Sequence, residues 1–385
     1  MNRILTFLIF FTLGINHVFA QNDNPIILGT KHHIHSNILE EDREYWISLP
    51  DSYNDETTVY KRYPVLIVLD GSAHFKSISG MVNYMSAGFN GNLRIPEMIV
   101  VAIQNVDRAR DFTPDKIVTK RPNNFGGGDK FLGFLEEELI PSIDKEYRTQ
   151  PYRVLFGHSL GGLLATHAYM KENTLFNAFI AVDPSFGSWD ATTIDKKLEA
   201  VTDKSFERYW YIATSNWEKR NFKNRDRHVR LYEAMHSKCP GEFNAKLEYF
   251  ENENHGSVPV IAFYNGISSI FDGYGIYYRD VKTKEQLVEH FDALSKRLSY
   301  KFAPPEELVN RVGYDMFRNN SDEAVRFFVM NTENYPQSAN AFDSLGEAYQ
   351  RVGEKEKATE SYKKSLALNP ANEHAKAAIK ELKGK

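Results

Sequence analysis

The chain holds 385 residues, 42% hydrophobic and 25% charged, an ordinary globular balance with length for two or three domains. Its net charge of −4 carries no long run of either sign, which argues against nucleic acid or anionic lipid as a partner. The single cysteine, Cys239, excludes an internal disulfide, so the folded state must rest on its apolar core.

Residues 1–20 read as a secretory signal peptide. Arg3 gives the positive start, Ile4 to Ile15 is almost wholly apolar, and Val18-Phe19-Ala20 places a small residue at the cut. The apolar stretch is too short for a membrane span. Cleavage would leave a chain starting at Gln21, with no cysteine to carry a lipid and no membrane span, so a periplasmic or secreted location is expected. Residues 25–50 alternate in strand fashion, as in Arg43-Glu44-Tyr45-Trp46-Ile47-Ser48-Leu49-Pro50. His32, His33 and His35 lack a carboxylate at helical spacing and are expected on the surface of an edge strand, not as metal ligands.

Tyr63 to Gly71, Met98 to Ile103, Val154 to Phe156, Ala178 to Asp183 and Tyr209 to Thr214 are continuous apolar runs, the mark of strands buried on both faces. Helix-like segments such as Asp129 to Glu136 separate most of them. The alternation predicts an α/β class with a mostly parallel sheet covered by helices on both sides.

The third run leads into Gly157-His158-Ser159-Leu160-Gly161-Gly162, and Leu163 to Tyr169 then reads as a helix. A strand, a G-x-S-x-G turn and a helix make the nucleophile elbow of α/β-hydrolases. A serine on so tight a turn needs neighbours without a β-carbon, and the helix start aims free N–H groups at an oxyanion. Ser159 is therefore expected as the nucleophile. The base should follow the acid and the serine in chain order, on a loop after the last strand. His255 meets that condition in the polar stretch Glu251 to Pro259, which follows an apparent strand at Ala245 to Phe250. For the acid, Glu218 is favoured because it follows the run ending at Thr214; Asp226 is the rival and Asp183 the least favoured. Leu160 and Ser72 are expected to supply the two N–H groups of an oxyanion hole.

Strand signals end near residue 280. Ala341 to Tyr349, Gly353, Ala358, Tyr362, Leu366 and Pro370 fit the tetratricopeptide pattern, and a weaker copy runs through Leu308, Val312-Gly313, Met316, Ala324, Phe328 and Pro336. One period, about 34 residues, separates Pro336 from Pro370. Asn372 to Lys383 looks like a capping helix. Two repeats are too few to stand alone, so the segment is expected to pack on the rest of the chain or on a protein partner.

Over about residues 27–280 the chain resembles the putative-esterase family of α/β-hydrolases, most of all its siderophore-esterase branch. The likeness rests on Arg43, on Tyr63-Pro64-Val65 into Leu69-Asp70-Gly71 with His74-Phe75, and on Asn105 to Pro114. It continues through Gly126 to Phe131, the elbow, Asp183-Pro184-Ser185 and His255 to Pro259. The resemblance implies catalysis by Ser159 and His255, with Ser72 and Leu160 as the oxyanion hole; some members resemble Ser–His dyads. Arg108 and Arg110 read either as holders of an anionic or polyphenolic substrate or as ion-paired staples of their loop. The usual Pro-Ser-x-Trp-Trp block is Pro184-Ser185-Phe186-Gly187-Ser188-Trp189 here, which alters the expected pocket wall at Trp189.

The reading is a signal peptide over 1–20, an α/β-hydrolase esterase domain over 21–282 and helical repeats over 283–385. The expected activity is a serine esterase needing no cofactor and no metal, acting on a small-molecule or glycan ester of siderophore-lactone, feruloyl or acyl-sugar type. Acyl transfer by the same residues is an alternative, and a non-catalytic binding module whose repeats recruit a partner is another.

Overall fold

The computed structural model describes residues 26–87, 93–116, 123–171, 175–189, 191–199, 201–216 and 222–384. The segment read as a signal peptide and Glu218 lie outside the described residues. The described strands are β1 (Thr30–Ser36), β2 (Glu41–Ser48), β3 (Tyr63–Val68), β4 (Ile99–Ile103), β5 (Thr149–His158), β6 (Ala178–Val182), β7 (Tyr209–Ser215) and β8 (Ala245–Phe250). They form one sheet in the order β1-β2-β4-β3-β5-β6-β7-β8. β1 and β2 pair antiparallel, as do β2 and β4, and every other neighbour is parallel. The three clustered histidines lie on β1, at the sheet edge.

The apolar runs are continuous because the central strands bury both faces. Val65, Ile67 and Leu69 face one helical layer, while Leu66 and Val68 face the other. Helix α1 (Gly71–Ser86) lays Phe75, Ile78 and Val82 on the Leu66 side. The opposite layer holds α2 (Arg108–Phe112), α3 (Gly128–Phe134), α4 (Ile140–Glu146), α5 (Leu160–Met170), α6 (Ala191–Glu199), α7 (Asp203–Phe206) and α8 (Phe222–Lys238). α9 (Val258–Ile270) returns to the Leu66 side and buries Val258, Ala262, Phe263 and Ile267 there.

The rest of the chain is helical: α10 (Lys284–Arg297), α11 (Glu306–Met316), α12 (Ser321–Asn334), α13 (Ala339–Arg351), α14 (Lys355–Leu368) and α15 (Glu373–Gly384). Its first three helices share the sheet's own core. Leu287, Phe291, Val309, Val312 and Phe327 continue the cluster that holds Tyr152, Phe263 and Phe271. Glu306, buried at the start of α11, ties the junction together by accepting from Tyr60 on the sheet side and from Ser338 and Asn340 on the other. Two helix pairs then use the same device. A β-carbon on Gly313 would lie 2.7 Å from the Phe328 ring, and one on Gly346 would lie 2.7 Å from the Tyr362 ring. In each pair a glycine lets an aromatic ring of the next helix sit against the backbone.

Candidate active site

Parallel pairing brings the carboxyl ends of β3, β5, β6, β7 and β8 to one edge, where an open α/β sheet offers its ligand crevice. Three of these strands are followed by a non-glycine residue with positive φ: Asp70 at 55°, Ser159 at 60° and Asp183 at 43°. Such backbone costs about 1–3 kcal/mol at each site and persists only where the surroundings hold it. The sheet and elbow do hold Ser159. Its N–H donates to Val182 O at 2.9 Å, and its carbonyl accepts from Leu163 N at 2.9 Å and Ser185 N at 3.0 Å. The glycines of the motif are needed by contact: a β-carbon on Gly157 would lie 2.1 Å from the Gly161 carbonyl oxygen. The Ser159 and Ser185 hydroxyls are 3.0 Å apart.

His255 lies on the loop between β8 and α9. Its Nδ1 donates to Asp183 Oδ2 at 2.6 Å, and its ring packs on the His158 ring at 4.5 Å between centroids. Asp183 is buried and also accepts from the Ser215 hydroxyl at 2.6 Å and the Ser215 N–H at 3.3 Å. With Nδ1 as the donor to this carboxylate, the imidazole is held in the tautomer whose Nε2 carries no proton.

This corrects the acid expected from strand order. The carboxylate on His255 is Asp183, the candidate ranked last. Glu218 lies outside the described residues, and Asp226 sits exposed on α8. Asp183 stands between Ser159 and His255 in chain order, as expected of an acid. It follows β6, which pairs directly with β5, instead of β7. An aspartate closing an apolar run beside Pro184-Ser185 was the available signal; which run lay next to β5 was not.

Ser72 and Leu160 stand in the first turns of α1 and α5, where backbone N–H groups have no acceptor within the helix. Arg108 does not stand free for a ligand. Its Nε donates to Asp70 Oδ1 at 2.6 Å and its Nη2 to Asp70 Oδ2 at 3.0 Å. Arg110 is likewise engaged, by both carboxylate oxygens of Glu41 and by Asp111 Oδ1 at 2.7 Å. Hydrogen bonding from Arg110 holds the Glu41 carboxyl below its ordinary range. The buried Arg43 guanidinium completes this cluster against Asp111 and Glu41. Trp189 is no pocket wall. It is fully buried, stacked on Phe186 at 4.8 Å between centroids, and its indole N–H donates to Asp115 at 2.9 Å.

Burial, with repulsion from His255 and His74, pushes the His158 imidazole down to about 4. His158 is thus a neutral ring packed against the base. A cleft of about 970 Å³ lies at the other end of the sheet, lined by Tyr63, Arg148, Tyr274, Phe302, Glu306 and Tyr335 and not by Ser159, Asp183 or His255. Among the described residues no helix is long and apolar enough to cross a membrane, and no group of three or more His, Cys, Asp or Glu side chains could hold a metal ion.

The family model described as "Putative esterase" matches residues 36–238. The ferri-bacillibactin esterase BesA of Bacillus subtilis is 28% identical over 220 residues, spanning 52% of this chain and 76% of that protein. The siderophore triacetylfusarinine C esterase of Aspergillus fumigatus is 25% identical over 264 residues, 59% of this chain and 87% of that one. The crystal structure of an IroE-like serine hydrolase from Shewanella oneidensis superposes with a TM-score of 0.68 at 27% identity, covering 80% of this chain and 99% of that chain.

Proposed function

The chain belongs to the putative-esterase family and is an ester hydrolase, and on that footing we propose that it works through an acyl-enzyme on Ser159. The observation that carries the reading is the 2.6 Å bond from His255 Nδ1 to Asp183, beside a serine at φ 60° on a strand–helix turn. With Nδ1 committed to Asp183, Nε2 is the nitrogen left to act as base. The Ser159 hydroxyl attacks the ester carbonyl as His255 Nε2 takes its proton, and Asp183 stabilises the imidazolium without itself taking the proton. The N–H groups of Leu160 and Ser72 receive the oxyanion. The imidazolium then gives its proton to the leaving alcohol. Water, deprotonated by the same nitrogen, cleaves the acyl-enzyme and frees the serine.

The substrate we propose is a siderophore-type ester, on the strength of the two esterase relatives; feruloyl and acyl-sugar esters fit the same chemistry. The N-terminal segment is read as an export signal, giving a periplasmic or secreted enzyme. We read 21–282 as the hydrolase and 283–385 as helices carrying tetratricopeptide-like repeats, the paired glycine–aromatic contacts supporting the repeat and leaving a surface for a protein partner.

Treatment with a fluorophosphonate, followed by mass spectrometry of the peptides, tests the nucleophile. A single adduct on Ser159, absent from Ser159→Ala, is expected. An adduct elsewhere, or none, would overturn the assignment.

A further inference from the structure

We propose that Arg108 is a positioning residue: its guanidinium locks together the two chain turns that present the oxyanion-binding N–H groups. The inference rests on the esterase reading and concerns how that site is held.

Asp70 ends the β3 segment in a left-handed conformation, φ 55° and ψ 49°, and is buried. It stands at the N-cap of α1, yet its side chain caps nothing there. The carboxylate turns away and accepts Arg108 Nε and Nη2 together, with Asn105 Nδ2 at 2.6 Å on Oδ1. The same Nη2 also donates to the carbonyl oxygen of His158 at 3.2 Å. That carbonyl belongs to the peptide unit leading into Ser159. One planar group therefore grips the turn before Ser72 and the turn before Leu160. The two turns are already in contact, since a β-carbon on Gly161 would lie 3.4 Å from Leu69 Cβ and 3.5 Å from Asp70 Oδ2. Arg108 is itself anchored. Asp107 caps α2 through the Arg110 N–H, and the guanidinium lies 5.5 Å from the Phe112 ring centroid.

The electrostatics point the same way. A bare carboxylate at position 70 would sit beside the place where negative charge develops and would oppose it. Paired with Arg108 it is neutralised. Loss of the arginine should therefore damage the transition state far more than the bound substrate.

The test is steady-state kinetics of wild type, Arg108→Lys, Arg108→Gln and Asp70→Asn/Arg108→Gln on two p-nitrophenyl esters, one neutral and one carrying a carboxylate on its acyl chain. The inhibition constant of phenylboronic acid, which forms a tetrahedral adduct on the serine, is read alongside. In Arg108→Gln, kcat is expected to fall about 100-fold on both esters with KM moving less than about threefold, because a displaced oxyanion donor acts on the transition state. The boronic acid should weaken by a similar factor, and Arg108→Lys should recover part of the loss. The double variant removes both charges, so it folds without a buried unpaired carboxylate and should keep most of the kcat defect. A change confined to KM on the anionic ester would overturn the proposal and make Arg108 an anion receptor. Full recovery of kcat in the double variant would also overturn it, by assigning the whole effect to the charge of Asp70. Failure of wild type to turn over either ester counts against the esterase reading alone. The phosphonylation rate of the serine then decides the clamp, with about 100-fold slowing in Arg108→Gln expected and an unchanged rate contradicting it.

Discussion

At the residue scale the site is a set of strained or buried groups, each held by named partners. Asp183 accepts from His255 and Ser215, and Asp70 accepts from Arg108 and Asn105. His158 gives this scale a measurable signature in pH. Its depressed value means that the unfolded chain takes up the proton more readily than the folded one. Stability from this source is complete above the ordinary histidine value of 6.5, drains as pH falls toward about 4, and changes no further below that. His74 and His228, both lowered by burial, act with the same sign. Thermal melting followed from neutral pH down to pH 4 should show a falling Tm, and His158→Gln should flatten part of that fall; parallel curves for the two proteins would contradict the assignment. The candidates Ser159 and His255 stand out in the sequence because each sits in a local pattern, a glycine-bracketed turn and a polar loop after a strand. The carboxylate on His255 does not. Carboxylates follow several strands, and only the pairing of β6 with β5 brings Asp183 to the histidine. Trp189 misled for a related reason: its partners Phe186 and Asp115 take it into the interior, which a loop aromatic does not announce.

At the scale of elements, the central strands are legible because burial on both faces gives apolar runs that need no partner to be seen, while β1 and β2 show as alternation in residues 25–50. The helical pairs were legible through their small and aromatic positions, and the contacts show why those residues stand there. Gly346 on α13 is closed over by Tyr362 of α14, a fully buried ring. Alanine there favours the helix by about 1 kcal/mol, but its methyl must displace that ring, and overpacking of this kind costs about 1–3 kcal/mol. Gly346→Ala is therefore expected to loosen α13 to α15, seen as faster hydrogen exchange in those helices, with kcat unchanged. Exchange confined to wild-type rates would show that the ring yields freely. The pattern leaves open whether these helices pack on the rest of the chain or on a partner, and the structure builds α10, α11 and α12 into the sheet's core through Phe291, Val309 and Phe327. Apolar periodicity marks a buried face without naming what buries it.

Across the whole molecule the helical region and the catalytic edge lie at opposite ends of the sheet. Tyr152, near the start of β5, packs on Phe271, Tyr300 and Phe302, whereas Ser159 follows the end of that strand. Six steps of extended chain take the backbone from Tyr152 to His158, about 20 Å. A partner on the outer helices would therefore leave the crevice open. On the proposed mechanism, Ser159, His255 and Asp183 form one hydrolytic unit in this member of the family. The most direct measurement is hydrolysis of a short p-nitrophenyl ester by wild type, Ser159→Ala and Asp183→Asn. Ser159→Ala should show no turnover and Asp183→Asn a kcat about 10⁴-fold lower, as expected when the histidine loses its orienting carboxylate. Turnover that survives in Ser159→Ala, or a full rate in Asp183→Asn, would contradict the mechanism.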